Sequence, residues 1–125
     1  MSDSSTTKEL LAGMLNKPLF VVMRTPRDLT RVPELLDAHL KWAILAQQRG
    51  ELFASGPFVS DQTLPGELGG MSILRAADHA EALRVVQSDP FIAHGVYDVD
   101  VRKWLLMEGG LTLHVSFSNQ RFSLL

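Results

Sequence analysis

The chain has no cysteine. Disulfides, thiolate nucleophiles and any zinc or iron–sulfur site needing a Cys ligand are therefore excluded. Its four histidines, at 39, 79, 94 and 114, show no H-x-H or H-E-x-x-H spacing, so no metal site is expected. No run of about 18 apolar residues is present to span a membrane. The start, MSDSSTTKELLAGML, lacks the basic region and long apolar stretch of a secretion signal. Charge of either sign is unclustered: 12 Lys and Arg against 14 Asp and Glu give a net −2. Neither nucleic acid nor a membrane surface is an expected partner. A cytoplasmic protein is expected from these absences.

What is present suits one folded core. The chain has 125 residues, 46% apolar and 21% charged, ordinary values for a globular domain. Its organising stretch is a helix from Thr30 to Arg49, with apolar residues at Val32, Leu35, Leu36, Leu40, Ala43 and Ile44. That is the i, i+3, i+4 stripe of a helix facing a core. Pro33 fits only its first turn, and Gly50 ends it. His39 lies in the middle of the stripe. An imidazole on an apolar surface either finds a hydrogen-bond partner or stays neutral, so His39 is a functional base or a core-edge histidine held by a backbone carbonyl.

Around this helix the pattern predicts five strands. Residues 1–5 are small and polar and are expected to be mobile. Thr6 and Glu9 form a capping box ahead of a short amphipathic helix. Lys17 to Arg24 is a strand apolar on both parities, hence covered on both faces. Glu51 to Pro57 and Leu68 to Ala76 are the next two strands. Gly69 and Gly70 mark a bulge or a close approach of backbone or ligand. Asp78 and Glu81 cap a second helix, Asp78 to Ser88, which stops at Asp89-Pro90. Phe91 to Gly95 is a turn or single helical turn, and Val96 to Met107 a fourth strand, with a bulge near Lys103 or a second covered face at Trp104. Leu111 to Ser118 alternates as a fifth strand, and Asn119 to Leu125 is a tail.

After the N-terminal helix the order is βαββαβ plus one strand, an α+β arrangement that is most simply ferredoxin-like. The segments are 1–17, the core domain 18–107, and 108–125. Apolar residues on the second sheet face (Phe20 or Val21, Phe53, Trp104) call for a cover. A homodimer with packed sheets, or a higher oligomer built from it, supplies one.

The chain resembles the YCII-related domain family, which shares the dimeric α+β barrel fold of muconolactone-isomerase-like proteins. The resemblance is carried by FVVM, AHLKWAILAQQRGELFASGP, GGMSILRAADHAEALRVVQSDPF and HGVYDVDVRKW. It implies a His–Asp pair beside the dimer interface, which falls on His39 and Asp89 here. It also implies an activity such as removal of chloride from a chlorinated hydroxyquinol. His94 stands where the family usually has a small residue. The N-terminal helix and the strand after Gly110 lie outside the family core.

Chemically, an Asp that accepts from one imidazole nitrogen fixes the tautomer and leaves the other nitrogen as base or acid. Such a pair suits proton abstraction from an acidic phenol or a carbon next to a carbonyl, followed by elimination or isomerisation. Each candidate also has a plainer reading. Asp89 alone is a helix-ending Asp-Pro turn. Arg24 pairs with an anionic substrate or is a solvated strand end. Ser55, in the Ser-Gly-Pro turn, touches a ligand or only shapes the turn; it is not a G-x-S-x-G nucleophile. Phe91 and His94 line a pocket or are core and surface, as are Tyr97, Phe58 and Trp42. His79 and His114 read as surface residues. The expected function is a cofactor-free lyase or isomerase acting on a small, aromatic-type metabolite. The alternatives are a dimeric small-molecule-binding module and an accessory protein that docks a partner through its added segments. Fold alone does not separate these.

Overall fold

The computed structural model describes residues 6–124. The expectations for residues 1–5 and for Leu125 lie outside the described residues. Among the described residues two compact units are present, Pro18–Leu105 and a second made of residues 6–17 with 106–124.

The larger unit is α+β. Strand β1 (Lys17–Pro26) leads through a 3-10 turn (Leu29–Arg31) into helix α2 (Val32–Gln48). Strands β2 (Leu52–Pro57) and β3 (Gly70–Leu74), helix α3 (His79–Gln87), the single turn α4 (Pro90–Ala93) and strand β4 (Tyr97–Leu106) complete it. The strands order as β2-β3-β1-β4, with β1 and β2 each antiparallel to β3. This is the ferredoxin-like topology expected from the element order.

Strand periodicity decides what each sheet face carries. Phe20 pairs with Leu74 and Val22 with Ser72. These residues face the helices, and Phe20, Val22, Leu52 and Leu74 pack with Ala46, Ala82 and Val86 as the main core. Carried two residues on, the same row turns polar, with Arg24 on β1 opposite Gly70. On β2 a register shift between Leu52 and Ala54 brings Ser55 opposite Ser72. That polar end of an otherwise apolar row is where the site lies. The opposite sheet face holds Val21, Met23, Ala54, Met71 and Ile73 by the same registers.

Local chemistry fixes the helices. Asp78 caps α3 by accepting from the Glu81 N–H at 2.8 Å, and Pro33 sits in the first turn of α2. Gly50, at φ +79°, ends α2 in the left-handed conformation glycine adopts without penalty.

Several expectations need correction. Helix α2 begins at Val32, because Asp28 caps a 3-10 turn first. Its buried side is also narrower than the stripe suggested: Ala46 is buried and Leu35, His39, Trp42 and Ala43 are half-buried, but Leu36, Leu40 and Ile44 are exposed. Strand β1 runs through Pro26, and β3 starts only at Gly70. Phe20 faces the helices, so Val21 is the residue on the opposite face. Trp104 and Phe53 are exposed on this chain.

In the smaller unit, Thr6 caps α1 (Thr7–Ala12) by accepting from the Glu9 N–H, as the capping box predicts. The Leu15 N–H donates to the Met107 carbonyl at 3.0 Å. The fifth strand is shorter than expected, β5 (Leu113–Ser116), and the expected tail is instead a sixth strand, β6 (Arg121–Leu124). The two form an antiparallel hairpin with Leu113 opposite Leu124. No helix among the described residues is long and apolar enough to cross a membrane.

Candidate functional site

Asp89 stands between α3 and α4 in extended backbone, where the following proline holds it. Its side chain turns inward and is 1% exposed. A single oxygen, Oδ1, accepts from the Phe91 N–H at 3.0 Å, capping α4, and contacts His39 Nδ1 at 2.8 Å. A carboxylate only accepts, so Nδ1 carries the hydrogen and donates, which in the neutral ring leaves Nε2 with its lone pair. Asp89 is thus both the helix cap of the plainer reading and the partner of His39.

The imidazole has two aromatic neighbours. Phe91 stacks on it at 4.2 Å between centroids with planes 16° apart, and Trp42, one turn along α2, lies 6.1 Å away at 27°. Trp42 is tied down in turn: its Nε1–H donates to Ser88 Oγ at 2.8 Å, and that hydroxyl donates to the Val85 carbonyl at 2.6 Å. Tyr97 meets Phe91 edge-on at 5.6 Å and donates its hydroxyl to the Gly66 carbonyl at 2.8 Å.

His39 opens onto a cavity of about 120 Å³ whose wall also includes Arg24, Phe91, Tyr97 and Leu36. Cavities of about 150 Å³ hold a benzene ring, so this one is on the scale of a single small ring. Two larger depressions, about 260 and 410 Å³, are lined without any ionisable side chain. The small cavity is the chemically equipped one.

Arg24 corrects the sequence reading most. The plainer expectation for it was a solvated strand end, yet it is 8% exposed. Its guanidinium donates to Ser72 Oγ, to Ser55 Oγ at 3.4 Å and to the Gly56 carbonyl at 3.1 Å. Burial lowers its pKa, and the nearby Asp89 and Tyr97 oppose that shift. Burial also raises the Tyr97 hydroxyl pKa, with Arg24 pulling the other way. The two glycines predicted to mark a close approach do so. A Cβ at Gly69 would overlap the Arg24 carbonyl, and one at Gly70 would overlap its guanidinium.

The remaining candidates separate from the cavity. Ser55 bonds Ser72 at 2.8 Å and Arg24, and so supports the guanidinium without lining the cavity. His94 caps the C-terminus of α4, is exposed, and is absent from the cavity wall. Phe58 lines a depression on the other sheet face. His79 is exposed, with Nε2 3.1 Å from the Val101 carbonyl, and His114 is exposed on β5. Among the described residues no three His, Asp or Glu side chains converge as a metal site would require. Ser72 was missed. Its signal was present, since it lies two residues before the core residue Leu74 on a strand of period two.

The family model of the YCII-related domain matches residues 18–105. The chain belongs to the YCII-related domain family. A solved structure similar to this YCII-related chain is the 5-chloro-2-hydroxyhydroquinone dehydrochlorinase TftG from Burkholderia phenoliruptrix AC1100, in complex with 2,5-dihydroxybenzoquinone. The match has a TM-score of 0.58 and 24% identity, over 69% of this chain and 92% of that one. At that identity the likeness shows the fold. No curated protein sequence matches the YCII-related chain.

Proposed function

We propose that this protein is a cofactor-free acid–base enzyme of the lyase or isomerase type, dehydrochlorinase-like, acting on a small ring compound. The observation that carries the reading is the 2.8 Å contact of buried Asp89 with His39 Nδ1, on the wall of a ring-sized cavity. Asp89 holds the imidazole with Nε2 unprotonated and stabilises the imidazolium that forms when Nε2 takes a proton. The stacked Phe91 and Trp42 keep the ring from turning.

For a chlorinated hydroxyquinol, as named for TftG, the steps balance without an oxidant. His39 takes a hydroxyl proton, and the oxygen's electron pair forms a carbonyl. The imidazolium then returns a proton to the chlorine-bearing carbon. The neutral His39 takes a second hydroxyl proton, and that oxygen's electron pair forms a second carbonyl. The shift of the ring electrons breaks the C–Cl bond, releasing chloride and leaving a hydroxyquinone. The net change is removal of HCl. We also propose that the apolar sheet face carrying Val21, Met71 and Ile73 seats a second copy of the chain.

The test is chloride release from 5-chloro-2-hydroxyhydroquinone. The wild type is expected to release chloride, and His39→Asn to lose about 10²–10⁴-fold in rate, the usual contribution of a general base. Wild-type protein that binds the compound without releasing chloride would favour the binding-module reading. An unimpaired His39→Asn would remove His39 from the chemistry.

A further inference from the structure

Arg24 takes no part in that proton transfer, yet its surroundings are built around its charge. The guanidinium is buried against three neutral oxygens, those of Ser72, Ser55 and Gly56. Among the described residues it makes no ion pair, whereas the pairs of Arg27, Arg31, Arg49 and Arg102 lie at the surface. Asp89 acts on it only through space, without contact. Taking a cation out of water with no carboxylate against it is unfavourable, and an apolar side chain of similar length would fill the space without that penalty. Two further features accommodate the group. Gly70 leaves room for it, and the Ser55–Ser72 hydrogen bond at 2.8 Å aligns the hydroxyls that receive it.

Its hydrogen bonds are also incomplete. A guanidinium has five N–H donors. Three have acceptors among the described residues, which leaves the Nε–H and one Nη2–H without any there. Every fully buried side-chain nitrogen or oxygen among the described residues has a partner, so Nε is not sealed off. Arg24 lines the same cavity as His39.

We propose that Arg24 is the receptor for an oxyanion of the substrate, which is therefore a singly ringed anion bound between Arg24 and His39. This rests on the cavity being the site of the acid–base reaction and adds the class of compound it takes. Either a ring carboxylate or an ionised ring hydroxyl supplies such an oxyanion.

The experiment titrates the protein with two pairs of probes matched in shape. Benzoate is set against benzamide, and 4-nitrophenol above its ionisation is set against 4-nitroanisole. Binding is followed by calorimetry in wild type, Arg24→Met, Arg24→Lys and His39→Asn. The wild type is expected to bind at least one anion about tenfold more tightly than its neutral partner, the usual gain from charge-assisted hydrogen bonds. Preference for benzoate assigns a carboxylate, and preference for the phenolate assigns a ring hydroxyl. Arg24→Met is expected to erase the preference, Arg24→Lys to retain part of it, and His39→Asn to keep it. Equal affinities within both pairs, no binding of either anion, or a preference that survives Arg24→Met would overturn the proposal. If Arg24→Met does not fold, the wild-type selectivity and the Arg24→Lys result still decide. Anion selectivity without chloride release would sustain the role of Arg24 and refute the His39 reading, and release without selectivity would do the reverse.

Discussion

Replacing Asp89 tests its two roles together, because one oxygen performs both. In Asp89→Ala the Phe91 N–H loses its acceptor at a buried position, and α4 loses its cap. Such losses cost about 0.5–2 kcal/mol for a cap and about 1–3 kcal/mol for a stranded buried donor, the same bond counted two ways. The His39 Nδ1–H is left unpaired as well, in a ring whose side chain is 14% exposed, which adds about 1 kcal/mol. Relief of the buried carboxylate's desolvation offsets part of this, leaving a net loss of about 2–3 kcal/mol. Asp89→Asn keeps Oδ1 in place for both donors and exchanges the other oxygen for an amide nitrogen, removing the charge, so its cost is within about 1 kcal/mol. Equilibrium unfolding in urea reads the difference. At ordinary slopes the alanine variant's midpoint falls by about 1–2 M and the asparagine variant's by well under 1 M. An alanine variant as stable as wild type, or an asparagine variant as unstable as alanine, would refute this account of Asp89.

Three further outcomes follow from other parts of the molecule. Gly70→Ala places a methyl group against the Arg24 guanidinium and 2.6 Å from the Gly56 carbonyl. It is expected to cost about 1–3 kcal/mol in thermal unfolding, and no loss of stability would contradict the packing around Arg24. Tyr97 is the sole tyrosine, so the tyrosinate absorbance reports it without assignment. Its burial-raised pKa means that the unfolded chain ionises first. The stability Tyr97 contributes is therefore complete below pH ~10 and is lost as pH rises through the folded-state value. Tyr97→Phe should flatten that slope, and a tyrosinate signal appearing at the free-tyrosine pH would contradict it. The outer sheet face is tested by sedimentation. Wild type is expected at twice the 13.8 kDa chain mass and Met71→Glu at the chain mass, whereas a monomeric wild type would refute the pairing.

The fold was largely legible because its signals are local and mutually consistent. The Asp78–Glu81 cap, Pro33, Gly50 and the Asp89-Pro90 break each set an element boundary that the structure keeps within a few residues. The closing hairpin was harder to read. Arg121–Leu124 alternates polar and apolar residues over only four positions and is exposed throughout, so the pattern is too short to separate a strand from a tail. The same logic explains the site. His39 stood out as an imidazole amid leucines, but whether Asp89 reaches it depends on α2 lying beside α4, which neither helix encodes alone. The plainer reading of Arg24, a solvated strand end, failed because the residue sits near a strand end in sequence but is buried. Period two from Phe20 and Val22 points it inward, and its partners Ser72 and Ser55 come from two other strands. Tyr97 reaches Gly66 across 31 positions of chain, a contact no local pattern contains.

The central claim is that Asp89 fixes the His39 imidazole with its hydrogen on Nδ1, leaving Nε2 as the proton acceptor. Long-range proton–nitrogen correlation of the imidazole rings, with His39 assigned by loss of its signals in His39→Asn, reads this directly. The result expected at a pH where the ring is neutral is a protonated Nδ1 and a bare Nε2 in wild type, with that single-tautomer pattern blurred in Asp89→Ala. A hydrogen on Nε2 in the wild type, or a mixture of tautomers that Asp89→Ala leaves unchanged, would contradict it.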